Sequence, residues 1–123
     1  MKLSVFQDDF EVATIEQLRR HLGVRFEKIF GSFWLWHESG SSMALMVRGE
    51  DSCIHFFPKK GHPGFQPEER DQGGDDYVDF RADNYELTPM PRSLVLPVKS
   101  GISIFEEYFT TGSKSASVTW TEL

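Results

Sequence analysis

The sequence predicts an α+β fold, an antiparallel sheet of five or six strands carrying two amphipathic helices, and three observations predict it. Runs of aromatic and β-branched residues follow one another across short polar connections, which is hairpin order. Two segments, one near each end of the chain, repeat apolar residues at helical spacing. Strands and helices do not alternate, so a parallel, doubly wound sheet is not expected. At 123 residues the chain has room for one domain, spanning 1–123.

The first helix is announced by Thr14-Ile15-Glu16-Gln17, a capping box in which the Thr14 hydroxyl accepts from the Gln17 amide while the Gln17 side chain reaches back. Ile15, Leu18 and Leu22 share one face, and Gly23 is the expected end. Phe33-Trp34-Leu35-Trp36, Met43 to Val47 and Cys53 to Phe57 then read as three strands of a meander. The first two are apolar on both alternate faces, which predicts a central position with elements packed on each side or one face closed by long loops, and assigns Trp34 and Trp36 to the core.

Pro58 closes the third strand. From there to Gly74 the chain lacks periodicity for 17 residues, longer than the roughly 12 to 15 that a structureless loop in a compact domain usually reaches without a function. Tyr77 to Arg81 and Tyr85 to Leu87 follow as a hairpin turning at Asp83-Asn84, residues that tolerate positive φ. Pro89, Pro91 and Pro97 bracket Leu94-Val95-Leu96, restricting it to an edge or a connection. Ile102, Phe105 and Phe109 mark the second helix, Gly112 its end, and Val118-Thr119-Trp120 a last short strand.

The charge, 13 basic against 19 acidic residues, is net −6, which disfavours general binding to nucleic acid or anionic lipid. The 17 aromatic residues supply more apolar surface than a disordered chain carries. Cys53 is the only cysteine, so neither an internal disulfide nor a thiolate-rich zinc site is expected. With no signal-like or spanning apolar stretch, the expected compartment is the cytoplasm.

The usual phosphate-binding, zincin and nucleophile-elbow motifs are missing from the chain. Cys53 and His55 form a C-x-H pair, but a thiol amid apolar neighbours reads as core rather than nucleophile. His37 reads as a strand edge and His62 as a loop residue. Glu68, Glu69, Asp71, Asp75 and Asp76 lack the alternating oxygen spacing of a calcium loop. The reading is therefore no catalytic residue, no metal and no cofactor, hence no enzyme. Those five carboxylates stand against Arg70 alone between Gln66 and Asp76, concentrating four of the six net negative charges. Such a segment can imitate phosphates for a basic protein partner and speed encounter, with Phe65 as an apolar anchor inside the rim.

Residues 75–123 carry a more specific pattern: Tyr77-Val78-Asp79-Phe80, Pro89 and Pro91, Leu96-Pro97-Val98, Phe105-Glu106-Glu107-Tyr108-Phe109-Thr110-Thr111-Gly112, and Val118-Thr119-Trp120. This stretch resembles the Imm class one family of immunity proteins from bacterial polymorphic-toxin systems. The resemblance implies a non-catalytic protein that binds the toxin domain of its own system and blocks it by covering the active site, the toxin being a deaminase-like enzyme acting on nucleic acid. The partner-binding residues expected from the acidic segment are Phe65, Glu68, Glu69, Asp71, Asp75 and Asp76, with no direct contact to nucleic acid or membrane. The alternative is a small self-associating or general protein-interaction module without a toxin partner.

Overall fold

The computed structural model describes residues 1–6, 8–26, 30–69, 76–81 and 86–123. Its elements run β1 (Lys2–Val5), β2 (Asp8–Glu11), α1 (Ile15–Phe26), β3 (Phe30–Trp36), β4 (Ser42–Arg48), β5 (Asp51–Phe57), β6 (Phe65–Pro67), β7 (Tyr77–Arg81), β8 (Leu87–Pro91), β9 (Leu96–Pro97), α2 (Val98–Thr111) and β10 (Trp120–Glu122). The fold is α+β, and every strand pair is antiparallel.

The main sheet holds eight strands, in the order β10-β6-β5-β4-β3-β1-β2, with β9 also paired to β5. That exceeds the five or six expected from sequence, because Lys2–Val5, which buries Leu3 and Val5, the polar Asp8–Glu11, the three-residue Phe65–Pro67 and the two-residue Leu96–Pro97 also pair into it. A second change is that β7 and β8 form a sheet of their own. The strand expected to end at Leu87 instead begins there and runs through Pro89 and Pro91. Prolines two apart leave their missing N–H groups on the same edge, which a two-stranded ribbon can leave unpaired. The Asp83-Asn84 turn lies outside the described residues.

The capping box forms as read: the Gln17 amide donates to Thr14 Oγ1 at 3.2 Å, and Gln17 Oε1 accepts from the Thr14 amide at 3.3 Å. The helix does not stop at Gly23 but continues to Phe26, so that glycine is an interior position. Leu18 and Leu22 of α1 and Ile104, Phe105 and Tyr108 of α2 cover the inner sheet face, made by Leu3, Val5, Phe33, Leu35, Met43, Leu45, Val47, Ile54 and Phe56. The buried stripe of α2 is Gly101, Ile104, Phe105 and Tyr108, the i, i+3, i+4, i+7 set, while Ile102 and Phe109 are half-buried at its flank. Arg19 ties the two helices together through Glu106 at 2.9 Å. Gly112 ends α2 in the left-handed region at φ 71°, its amide donating to the Tyr108 carbonyl at 2.7 Å.

Among the described residues, the outer sheet face is covered over only part of its length. Val78 and Phe80 of β7, with Val95, close over Cys53, and Met46 and Met90 pack against them. Arg48 adds a tie by donating to the Asp79 carbonyl at 3.1 Å. Toward the opposite end of β3, β4 and β5, Trp36 stays 40 % exposed and Trp34 and Phe57 are half-buried. The Trp pair is thus on the outer face and not in the core. Strict alternation forces this, because Phe33 and Leu35 point inward and the residues between and after them must point out.

Candidate partner-binding surfaces

The acidic segment leaves the main sheet at Pro67 and reaches the second sheet at Tyr77. Its first end is fixed by the Glu68 amide, which donates to the Thr119 carbonyl at 2.8 Å. Its far end is fixed by Arg92, whose amide donates to the Asp76 carbonyl at 3.1 Å and whose Nε lies 3.5 Å from the Asp76 carboxylate. Arg92 also reaches Asp51 at 3.3 Å. Glu68, Glu69 and Asp76 are all exposed. Asp71 and Asp75 lie outside the described residues, as does Arg70.

Phe65 does not project as a free anchor. It pairs across strands with Phe56, ring centroids 6.1 Å apart, and packs half-buried against the main core. His62 stacks on it at 5.5 Å and 6°, and Lys114 Nζ lies 3.7 Å from its ring centre. The His62 ring is itself held: Nδ1 accepts from the Gly64 amide at 2.8 Å, so the ring proton sits on Nε2, which meets Glu122 at 3.0 Å. Gly64, at φ 95°, makes this turn possible, since a Cβ there would run into the His55 ring and the Phe56 carbonyl oxygen.

The C-x-H pair is chemically quiet. Burial pushes the Cys53 thiol up to about 12, against a smaller opposing effect from its hydrogen bond with the Met46 backbone, so the thiolate is scarce at neutral pH. Burial likewise holds His55 below its usual range, partly offset by the bond from its Nε2 to the Pro63 carbonyl at 3.0 Å. His37 caps its own turn, Nδ1 accepting from the Ser39 amide at 3.0 Å. Among the described residues no three His, Cys, Asp or Glu side chains cluster as metal ligands would.

A second surface is assembled from three strands and shows in no single segment of the sequence. On the open part of the outer face the rings of Trp36, Trp34 and Phe57 lie nearly parallel, with centroids 5.2 and 5.4 Å apart and interplanar angles of 12° and 18°. His55 extends the row at 4.2 Å from Phe57. The register explains the array: Ser42 of β4 sits between Trp36 and Phe57, and Ala44 between Trp34 and His55. Two small side chains on the middle strand let rings from β3 and β5 lean together across it. The groove so formed has a volume of about 550 Å³ and is bordered by Lys59, Lys60 and His62. The sequence signal was the small Ser42 and Ala44 placed between two aromatic strands, legible only once the register is known.

No protein-family model matches the chain, and no curated protein is significantly similar to it.

Proposed function

We propose that this chain is an immunity protein that binds and neutralises the toxin domain of its own bacterial toxin system in the cytoplasm, occluding the active site of a nucleic-acid-directed, deaminase-like enzyme. The observation that carries the reading is the acidic segment 66–76. Its ends are fixed to separate sheets, and Glu68 and Glu69 present carboxylates to solvent, while Asp76, also exposed, is paired with Arg92. An enzyme that takes a base out of nucleic acid works in a basic groove, and a run of carboxylates competes for that groove as phosphates do.

Three further points support it. The resemblance over 75–123 takes in β7, β8, β9, α2 and Trp120, whose indole N–H donates to the Ser115 carbonyl at 2.8 Å. The thiol of Cys53, raised to about 12, makes a poor nucleophile. The edge strand β2 shows Asp8, Asp9 and Glu11 to solvent, like charges that oppose pairing with a second copy and so count against the self-associating alternative. No helix is long and apolar enough to cross a membrane among the described residues.

Co-expression tests the proposal. The chain is produced together with the toxin domain encoded beside it, and growth is compared with cells that carry the toxin domain alone. Rescue, with a stable complex on gel filtration, is the expected result. A folded chain that neither rescues growth nor forms a complex refutes the reading.

A further inference from the structure

We propose that the groove of Trp34, Trp36 and Phe57 is a docking site for a partner protein segment presenting an aromatic side chain flanked by carboxylates. This surface is separate from the acidic segment and has the opposite local charge.

The apolar half of that recognition comes from the ring array. Three rings stacked in an offset row present their edges and part of their faces, against which another aromatic side chain can pack edge-to-face, and the volume of about 550 Å³ is that of a ligand-sized site. The row is held in advance. Trp36 Nε1 donates to Ser4 Oγ at 3.1 Å, and Ser4 Oγ donates in turn to Asp9 at 2.6 Å, so the most exposed ring is fixed from β1 and β2. A partner then orders little of this surface on binding, which favours affinity.

The carboxylate half comes from charge placement. Lys2 Nζ lies 5.4 Å from the centre of the Trp36 ring at one end of the row. Lys59 and Lys60 stand exposed at the mouth, and neither has a carboxylate within ion-pair distance among the described residues. Lys2 is only loosely held by Asp9 at 3.8 Å, and Glu122 is engaged by His62. In a chain of net charge −6, Lys59 and Lys60 give the groove a local basic edge beside its aromatic floor, with Lys2 shared with Asp9 at the far end. A single-stranded nucleic acid could stack on the same rings, but its phosphates would run on past the three lysines toward Asp8, Asp9 and Glu11 of β2. A short acidic peptide segment meets the lysines and stops there, so a protein partner is favoured.

The test needs no toxin, and its outcome is separate from that of the rescue experiment. Short random peptides are displayed and selected on the purified chain, and enriched sequences are synthesised with a fluorescein label and titrated by anisotropy, alongside a fluorescein-labelled oligothymidylate. The expected result is enrichment of Trp, Phe or Tyr beside Asp or Glu, with W36A weakening binding by about tenfold or more. K59E/K60E, on an exposed turn and so without consequence for folding, is expected to weaken binding and to lower its salt dependence. Binding that is unchanged in both variants overturns the proposal. So does a selection without acidic-aromatic enrichment, or an oligothymidylate that binds through Trp36 more tightly than any selected peptide.

Discussion

Gly101 of α2 sits directly against Ser52 of β5: a Cβ added to Gly101 would overlap the Ser52 hydroxyl and come within 2.9 Å of Ser52 Cβ and 3.1 Å of Leu45 Cδ1. The helix therefore approaches the sheet as closely as a backbone can, and Ser52 uses its hydroxyl to donate to the Leu96 and Pro97 carbonyls at 3.2 Å at the helix entry. Gly101→Ala gains helix propensity but must push α2 off the sheet. Overpacking of this kind costs about 1 to 3 kcal/mol, so a lower urea midpoint is expected. A midpoint equal to or above wild type would show that the helix can retreat freely.

The buried stripe of α2 makes a graded prediction. Phe105 is fully buried, and Phe105→Ala is expected to cost about 3 to 5 kcal/mol. Ile102, half-buried at the flank, should cost clearly less when truncated. Chemical denaturation of the two variants checks the order. Equal losses would mean that the helix is rotated toward the face that Ile102, Phe105 and Phe109 would share.

Cys53 sets an alkaline limit. An unfolded thiol titrates near 8.5, whereas burial raises the folded group to about 12, so between these values the folded state binds more protons than the unfolded one. Stability from this site is fully present below about pH 8 and falls as pH rises through the window, with a limiting slope of about 1.4 kcal/mol per pH unit. Tyr108, raised by burial against the opposing bond to Ser41, acts in the same direction. Urea midpoints of wild type and Cys53→Ala from pH 7 to alkaline pH are expected to show a shallower decline in the variant. Parallel declines would remove Cys53 as the cause.

Local chemistry was legible where it acts alone: the Thr14-Gln17 box, Gly112 as the end of α2, and three central strands in hairpin order. What depended on pairing was not. Phe65–Pro67 is a strand because β5 and β10 flank it, although its own composition reads as loop. Trp34 and Trp36 could have faced either of two apolar sides, and only the position of the β7–β8 hairpin, over Met46 and Cys53 and away from the tryptophans, decides which part of the outer face stays open. The acidic segment was visible as charge. Phe65 shows in the sequence only as an aromatic in a loop, because nothing local announces that His62 and Lys114 meet its ring.

That distinction yields the last prediction, which concerns how the acidic segment and Phe65 would each contribute to capture of a toxin domain. Glu68 and Glu69 are exposed, and none of their side-chain atoms is needed for the strand pairing that holds the segment, since the fixed contact is the Glu68 amide to Thr119. Reversing both to Lys should leave the melting temperature within a few degrees of wild type. It should slow association with the toxin domain and flatten the salt dependence of the on-rate, because steering acts before contact and is screened by ions. Extending the reversal to Asp71 should deepen the effect in the same direction. Phe65→Ala behaves differently, since it removes a ring that packs with Phe56, His62 and Lys114, and a lowered melting temperature should accompany any faster dissociation. Stopped-flow association at low and high salt, beside thermal melts of each variant, separates the two. An on-rate that ignores the charge reversal would move capture away from this segment and onto the aromatic groove on the outer face of β3 and β5.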